Sequence, residues 1–248
     1  MKPLRKFDNN ASFEAYRKGN VEYPLVASVN TKSYVLTQPA IYYTTTDGNQ
    51  LSDANTGLQD YIISHTKKIN GSFKIVLKDT MNSIPNDCFR ACTTLKTVRF
   101  EGLNNVTSIG TYFLGYCSSL QNIDFSGLSN VTSIGLSFLY NCTSLQSIDL
   151  SPLSEITSIG GYFLRGCDSL QSVDLSGLSK VTSIGDYFLI ICSVLKTVTM
   201  PNTTGITSIG ANYFNSCYQL TTIYCPKGTL TKYKTLMPNR STIMVELS

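Results

Sequence analysis

The sequence predicts an α/β repeat solenoid, in which short coils stack with a parallel β-sheet on one face and short helical or 3₁₀ turns on the other. Three observations predict this class. A cysteine recurs every 25 residues, a leucine follows each of these cysteines three positions later, and apolar residues alternate after each leucine. Because one coil cannot bury its apolar face alone, neighbouring coils must stack to complete a continuous core.

The period starts near Ile84 and continues towards the C-terminus. In the coil that begins at Cys142, the segment Leu145–Leu150 alternates apolar and polar residues, as expected of a strand that pairs in parallel with its neighbours. The later segment Ile159–Leu164 is too short for a long helix. It predicts one or two helical or 3₁₀ turns on the outer side of the coil.

The repeated cysteines are predicted to be structural thiols that form a buried column. They are Cys92, Cys117, Cys142, Cys167, Cys192 and Cys217. A disulfide ladder would need one identical geometry at every coil, which makes it the weaker alternative. Zinc is weaker still, because only Cys88 and Cys92 have a zinc-type spacing and the single histidine, His65, lies outside the array. No metal and no cofactor is therefore predicted.

Composition excludes two classes of partner. The net charge is +4 and charged residues make up 15% of the chain, without a basic stripe and interleaved aromatic residues, so nucleic-acid binding is not predicted. No run approaches the roughly 20 apolar residues that membrane insertion needs. The basic start at Met1–Lys6 lacks the apolar stretch of a signal peptide, so we expect no export by that route unless a leader has been removed.

The coil sequence resembles a known family, the BspA-type leucine-rich repeats of bacterial surface proteins. The resemblance is carried by Leu120-Gln-Asn-Ile123, followed by Ile134-Gly135-Leu-Ser-Phe138 and then Cys142. The segment 223–234 resembles the terminal cap of that family. One departure is a tyrosine before the phenylalanine in several coils, where the family often has alanine. The resemblance implies an adhesive or protein-binding role without catalysis.

The outward positions of the predicted strands form polar columns. A candidate contact strip on the sheet face consists of Gln121, Asp124, Gln146, Asp149, Gln171 and Asp174. Stacked carboxylates repel one another unless they are compensated, which favours a binding role. The alternative is that repetition copied a tolerated residue whose charge limits aggregation.

Tyrosines recur on the outer side of the coils. Tyr112, Tyr162 and Tyr187 share one column, with Tyr116, Tyr140 and Tyr218 nearby. We expect them to pack between coils rather than to contact a ligand.

Catalysis is not predicted. The sequence has no nucleophile elbow, no glycine-rich phosphate loop and no clustered metal ligands. Its Asp and Ser residues recur by repetition, whereas an active site is a singular constellation. A glycan-processing enzyme, the rival hypothesis from another class, would require a clustered carboxylate pair in a pocket.

The first 83 residues lack the period. Asn10 is predicted to cap a short helix that ends at Gly19, and the segments 23–29 and 33–36 are predicted to form a hairpin. Strands are predicted at Ile41–Thr44 and Phe73–Leu77. The predicted domains are an anchor or oligomerisation module at 1–38, a β-rich cap at 39–83, leucine-rich repeats at 84–222 and a C-terminal cap at 223–248.

The opening segment, from Phe7 to Val29, resembles a short leader module of virion and tail-associated proteins of Bacteroidales phages and prophages. The resemblance implies a phage virion protein, a head or tail fibre component, and a homo-oligomer. Its module would hold other virion proteins through Phe7, Phe13 and Tyr16, and its solenoid would contact host-surface glycans or proteins. The alternative is a BspA-type adhesin on a bacterial cell surface, with its leader removed.

Overall fold

The computed structural model describes residues 38–248 and, nearer the N-terminus, the backbone of six short strands. The chain forms two compact units, Met1–Pro39 and Ala40–Ser248. The strands of the first unit are β1 (Arg5–Phe7), β2 (Ala11–Glu14), β3 (Arg17–Lys18), β4 (Val21–Glu22), β5 (Val26–Val29) and β6 (Lys32–Val35). They form an antiparallel sheet of order β1-β2-β5-β6 and a separate β3-β4 pair.

The helix predicted after Asn10 is wrong, because Ala11–Glu14 is a strand. It pairs with β1 on one side and β5 on the other, and pairing along both edges outweighs a local capping signal. The predicted hairpin is confirmed, since β5 and β6 are antiparallel with Val29 opposite Lys32. The side chains of Phe7, Phe13 and Tyr16 lie outside the described residues, so the anchor stays a prediction.

The second unit opens with a cap that starts the core. Strands β7 (Ala40–Thr45) and β9 (Phe73–Leu77) confirm the two predicted strands. Helix α1 (Asp53–Thr56) and strand β8 (Ile62–Lys67) lie between them. Strand β7 pairs in antiparallel fashion with both β9 and the first strand of the array, so the cap covers the open edge of the parallel sheet.

The coils contribute two sets of parallel strands. On the sheet face lie β11 (Leu95–Glu101), β13 (Asn122–Asp124), β16 (Ser172–Asp174), β18 (Thr197–Thr199), β20 (Thr222–Cys225) and β21 (Met244–Glu246). A second set of Ser-Ile strands comprises β10 (Ser83–Ile84), β12 (Ser108–Ile109), β14 (Ser133–Ile134), β15 (Ser158–Ile159), β17 (Ser183–Ile184) and β19 (Ser208–Ile209). The coil that contains Ile148 has no strand on the sheet face, which divides that sheet into five-stranded and four-stranded parts. The α/β repeat solenoid is confirmed.

Helical structure is sparse and lies elsewhere than predicted. Short 3₁₀ helices occupy Ser126–Leu128, Ser151–Leu153 and Pro238–Ile243, and α2 spans Leu230–Leu236. The segment after each Ile-Gly, which we name the outer turn segment (for example residues 111–116), is a run of turns instead of the predicted helix.

Alternate residues of the outer turn segments have left-handed backbone conformations. In one segment, Tyr112, Leu114 and Tyr116 have φ of 56°, 55° and 64°. This conformation costs a non-glycine residue about 1–2 kcal/mol. Hydrogen bonds between coils offset the cost: Tyr112 and Tyr116 donate their N–H groups to the next coil, and Leu114 donates to the Cys88 carbonyl of the preceding coil at 2.9 Å. In a helix, these N–H groups would bond along the helix axis within their own segment. Because they bond to neighbouring coils instead, the segment forms stacked turns and not a helix.

The cysteine column satisfies the remaining carbonyls of this ladder. From Cys117 to Cys217, each thiol of the column donates to the carbonyl of the middle left-handed residue in the preceding coil, as Cys142 does to Leu114 at 3.2 Å and Cys167 to Leu139 at 3.3 Å. Burial raises the pKa of Cys167 to about 12, so the thiol keeps its proton and remains a donor at neutral pH. Every cysteine is free and buried, as predicted for structural thiols.

Both ends of the thiol ladder are closed by other groups. At the N-terminal end, Cys92 donates to the Asn55 carbonyl at 3.3 Å, so α1 takes the place of a preceding coil. At the C-terminal end the column stops at Cys217, and Nη2 of Arg240 donates to the Phe214 carbonyl at 2.9 Å. Tyr233 of α2 is buried and donates its hydroxyl to the Pro201 carbonyl at 2.8 Å.

The Ile-Gly glycines allow the coils to approach closely. A Cβ placed on Gly135 would lie 2.6 Å from the backbone nitrogen of Thr111 in the preceding coil. Inside the same stack, phenylalanines form a column: the rings of Phe138 and Phe163 are 5.4 Å apart and nearly parallel. Glycine on one side and a large ring on the other therefore set the spacing of the coils.

Gly135→Ala should destabilise the protein by about 1–3 kcal/mol, because backbone atoms must move to admit the new methyl group. The matched control is Gly177→Ala, whose added Cβ would lie 3.4 Å from Cα of Ser151, an ordinary contact. Urea unfolding of both variants measures the difference. Equal stabilities would contradict the role of close approach at Gly135.

Cys142→Ala should cost about 1–3 kcal/mol, since the buried Leu114 carbonyl loses the thiol donor and keeps only the long 3.4 Å contact with the Cys117 N–H. Cys142→Ser should cost less, because its hydroxyl can donate to the same carbonyl. Thermal unfolding of the two variants in parallel gives the ranking. A serine variant less stable than the alanine variant would mean that the thiol acts only by apolar packing.

Candidate functional site

The register of the paired strands places the outward side chains of the sheet face in rows. The row of interest runs through Lys74, Tyr42, Arg99 and Asp124 in the five-stranded part, as successive register partners. In the four-stranded part the same row runs through Asp174, Thr199 and Tyr224. We name this row of residues the sheet-face row.

The predicted contact strip lies at the surface. Gln121, Gln146, Gln171, Asp149 and Asp174 are exposed, and Asp124 is half-buried. Hydrogen bonding between strands is interrupted beside Asp149, because its coil contributes no strand. Of the strip residues, only Asp124 and Asp174 therefore lie in paired strands.

The carboxylates of this strip have a local structural role that the sequence reading missed. Oδ1 of Asp124 accepts the N–H of Ser126 at 2.9 Å, Asp149 accepts that of Ser151 at 2.9 Å, and Asp174 accepts that of Ser176 at 2.8 Å. These contacts turn the chain at the end of each strand position. The Asp-x-Ser spacing was the available signal. One oxygen of each carboxylate remains for other contacts.

Cations and one aromatic ring occupy the N-terminal end of the row. The Arg99 guanidinium carbon lies 4.4 Å from the centroid of the Tyr42 ring, and the Lys74 ammonium nitrogen lies 5.3 Å from the same centroid. Arg99 also pairs with Glu101 at 3.0 Å. Sequence reasoning missed Tyr42 and Lys74, because both lie in the cap, where no period fixes the register.

The outer tyrosines pack together, as expected. Tyr112, Tyr116, Tyr140, Tyr162 and Tyr187 are half-buried and form a chain of ring contacts. The rings of Tyr162 and Tyr187 stack 4.6 Å apart, within 7° of parallel. These stacked rings present edges and hydroxyl groups outward and leave little face for a ligand. Tyr218, by contrast, is 86% exposed.

One hydrogen-bonded set has the form of an acid–base relay. Asp53 contacts Nδ1 of His65 at 2.6 Å, and Nε2 of the same ring contacts the Tyr43 hydroxyl at 2.6 Å. That hydroxyl also accepts the N–H of Leu51 at 3.0 Å, and burial raises the pKa of Tyr43 to about 12. A buried, fully paired phenol is a poor nucleophile, so the set fastens α1 and β8 to the cap.

Across residues 38–248, no cluster of three or more His, Cys, Asp or Glu side chains is arranged to hold a metal ion. In the same part of the chain, no helix combines the length and the apolar character needed to cross a membrane.

The stacked coils, the parallel sheet and the polar sheet face define a leucine-rich-repeat protein. The model of the BspA-type leucine-rich repeat region matches residues 56–178 and 128–237 in six copies. The chain therefore belongs to the BspA-type leucine-rich repeat family. The match indicates no catalytic family.

Other comparisons add little. A leucine-rich repeat protein from Bacteroides ovatus is similar, with 17% identity and a TM-score of 0.29, over 86% of this chain and 75% of that one. A comparison with curated proteins gives no match.

Proposed function

We propose that this chain is a non-enzymatic adhesion protein whose sheet face binds a macromolecular partner. The observation that carries the proposal is the contact strip: six amide and carboxylate side chains that recur with the coil period and are exposed or half-buried, with Asp124 and Asp174 in paired strands. Family membership supports a binding role, because BspA-type repeats are typically adhesive and surface-associated.

The geometry suits recognition of an extended partner. Strand registers hold the ends of the row in place, and the Asx contacts at Asp124 and Asp174 fix the carboxylates before any partner arrives. A preformed surface loses less conformational entropy on binding than a mobile one. Gln and Asp side chains can together donate to and accept from hydroxyl or amide groups, so both glycans and proteins are suitable partners.

For the biological setting, we propose a virion component of a phage, a head or tail fibre that contacts the host surface. The resemblance of residues 7–29 to a leader module of virion proteins supports this setting. The module would join the chain to other virion proteins or to copies of itself through Phe7, Phe13 and Tyr16. A bacterial cell-surface adhesin is the second candidate, and the family's typical surface association favours it.

Replacing Asp124, Asp149 and Asp174 together with Asn should weaken binding of the purified protein to Bacteroidales cells by about tenfold, because the variant loses charge-assisted hydrogen bonds. The free energy of unfolding should change by less than about 1 kcal/mol, since the amide oxygen can still accept the Ser N–H. Flow cytometry and urea unfolding measure the two quantities. A control with Asp60, Asp79 and Asp168 changed to Asn alters the net charge equally. Unchanged binding of the strip variant would remove the strip from consideration.

Mass spectrometry of purified particles and of the outer-membrane fraction of producing cells should distinguish the two settings. Virion assembly predicts peptides from both ends of the chain in particles, with an N-terminus at Met1 or Lys2. Recovery of a longer, processed precursor in the outer membrane would replace the virion proposal with the bacterial adhesin.

A further inference from the structure

A depression of about 550 Å³ opens at the N-terminal end of the sheet face, beside the contact strip. It is lined by Tyr42, Lys68, Ile69, Asn70, Ser72 and Arg99. Two of these residues belong to strands β7 and β11, and the other four belong to the hairpin tip between β8 and β9. The depression therefore has a rigid floor and one raised wall.

The hairpin tip that forms the wall is held by its own hydrogen bonds. The N–H of Lys68 donates to the Ser72 carbonyl at 2.7 Å, and the N–H of Gly71 donates to the Lys68 carbonyl at 3.0 Å. Oδ1 of Asn70 accepts both the N–H and the hydroxyl of Ser72, at 3.1 and 2.7 Å. The wall is preformed, so a ligand does not have to order it.

Positive charge dominates the depression. Lys68 and Arg99 line it, and the ammonium group of Lys74 lies over the ring of Tyr42, which also lines it. Glu101 pairs with Arg99, but within residues 38–248 no carboxylate lies within ion-pairing distance of Lys68 or Lys74. Two cations of this end thus remain available to an anionic partner, while the next position of the row, Asp124, begins the acidic strip.

The apolar surface of the depression indicates which kind of anion fits. Arg99 and Lys74 both lie over the Tyr42 ring, so that ring offers little face for a sugar to stack on. Ile69 instead projects fully exposed from the hairpin tip. An exposed isoleucine in a structured turn, beside cations that no carboxylate of residues 38–248 pairs, suits an apolar side chain flanked by carboxylates.

We infer that this depression binds an acidic peptide segment that carries an apolar side chain, with carboxylates at Lys68 and Lys74 and the apolar group against Ile69. The inference names a partner class for one end of the sheet face and rests on the proposed binding function. A partner that extends across the face would meet cations first and the acidic strip next, which would fix its direction.

Fluorescence anisotropy with a fluorescein-labelled Glu-Glu-Phe-Glu-Glu peptide tests the inference on the full chain. We expect saturable binding that weakens at about 0.5 M NaCl, because salt screens the ion pairs. Peptides with Gln in place of Glu, or Ser in place of Phe, should each bind less tightly. Equal binding of all three peptides would overturn the inference.

Three variants locate the site. Lys68→Glu should weaken the peptide about tenfold, and Ile69→Ser should weaken it about fivefold without affecting folding, because its side chain is exposed. The matched control is Lys196→Glu, which makes the same charge change at an exposed position elsewhere in the array and should leave binding within about twofold. An equal loss in the Lys196 variant would show non-specific attraction and reject the site.

A hyaluronan oligosaccharide in the same assay tests the rival class of ligand. Tighter binding of the sugar than of the peptide, dependent on Lys68 and not on Ile69, would replace the peptide with an acidic glycan. Peptide binding and cell binding, measured side by side, separate this inference from the proposed function, which rests on Asp124, Asp149 and Asp174. Cell binding by the wild type without peptide binding would reject the inference alone, and peptide binding without cell binding would reject the strip alone.

Discussion

The structure depends on one constraint: the buried backbone groups that a coil does not pair within itself must find their partners in a neighbouring coil. On the outer side this requirement is met by left-handed residues that donate in alternate directions and by cysteine thiols that donate to the carbonyls left over, as Cys142 does to Leu114. A thiol suits the position because it is small, apolar and still a donor once burial has kept it protonated. The ladder ends where other groups replace the missing partners, at Asn55 and at Arg240.

The same stacking that builds the core determines the surface. Since the strands are in register, any residue type that recurs with the coil period becomes a column, and Asp124, Asp149 and Asp174 form such a column at the surface. Each carboxylate accepts the N–H group of a following Ser residue, which gives it a structural role beside the proposed binding role. They support the turns of the chain, and they also present fixed charge to a partner. The two roles are compatible because one carboxylate oxygen accepts the Ser N–H group and the other oxygen remains for a partner.

The cap changes the electrostatics of the sheet face. It adds Tyr42 and Lys74 to a row whose later members are acidic, so the face has a cationic end and an acidic middle. Such a gradient favours one orientation of a charged partner over the reverse. The outer face offers no comparable arrangement among the described residues, because its tyrosines are stacked on one another.

The sequence alone determined the repeat class, the buried cysteine column, the strands at residues 41–44 and 73–77, and the surface location of the contact strip. These features follow from periodicity, and stacking converts a period directly into columns. Only the tertiary structure decided that the segment after Ile159 forms turns, that Ala11–Glu14 is a strand, and that Tyr42, Lys68 and Arg99 share a depression. Those outcomes depend on hydrogen bonds and registers between segments distant in sequence. A local pattern carries no information about which distant segment will supply the partner.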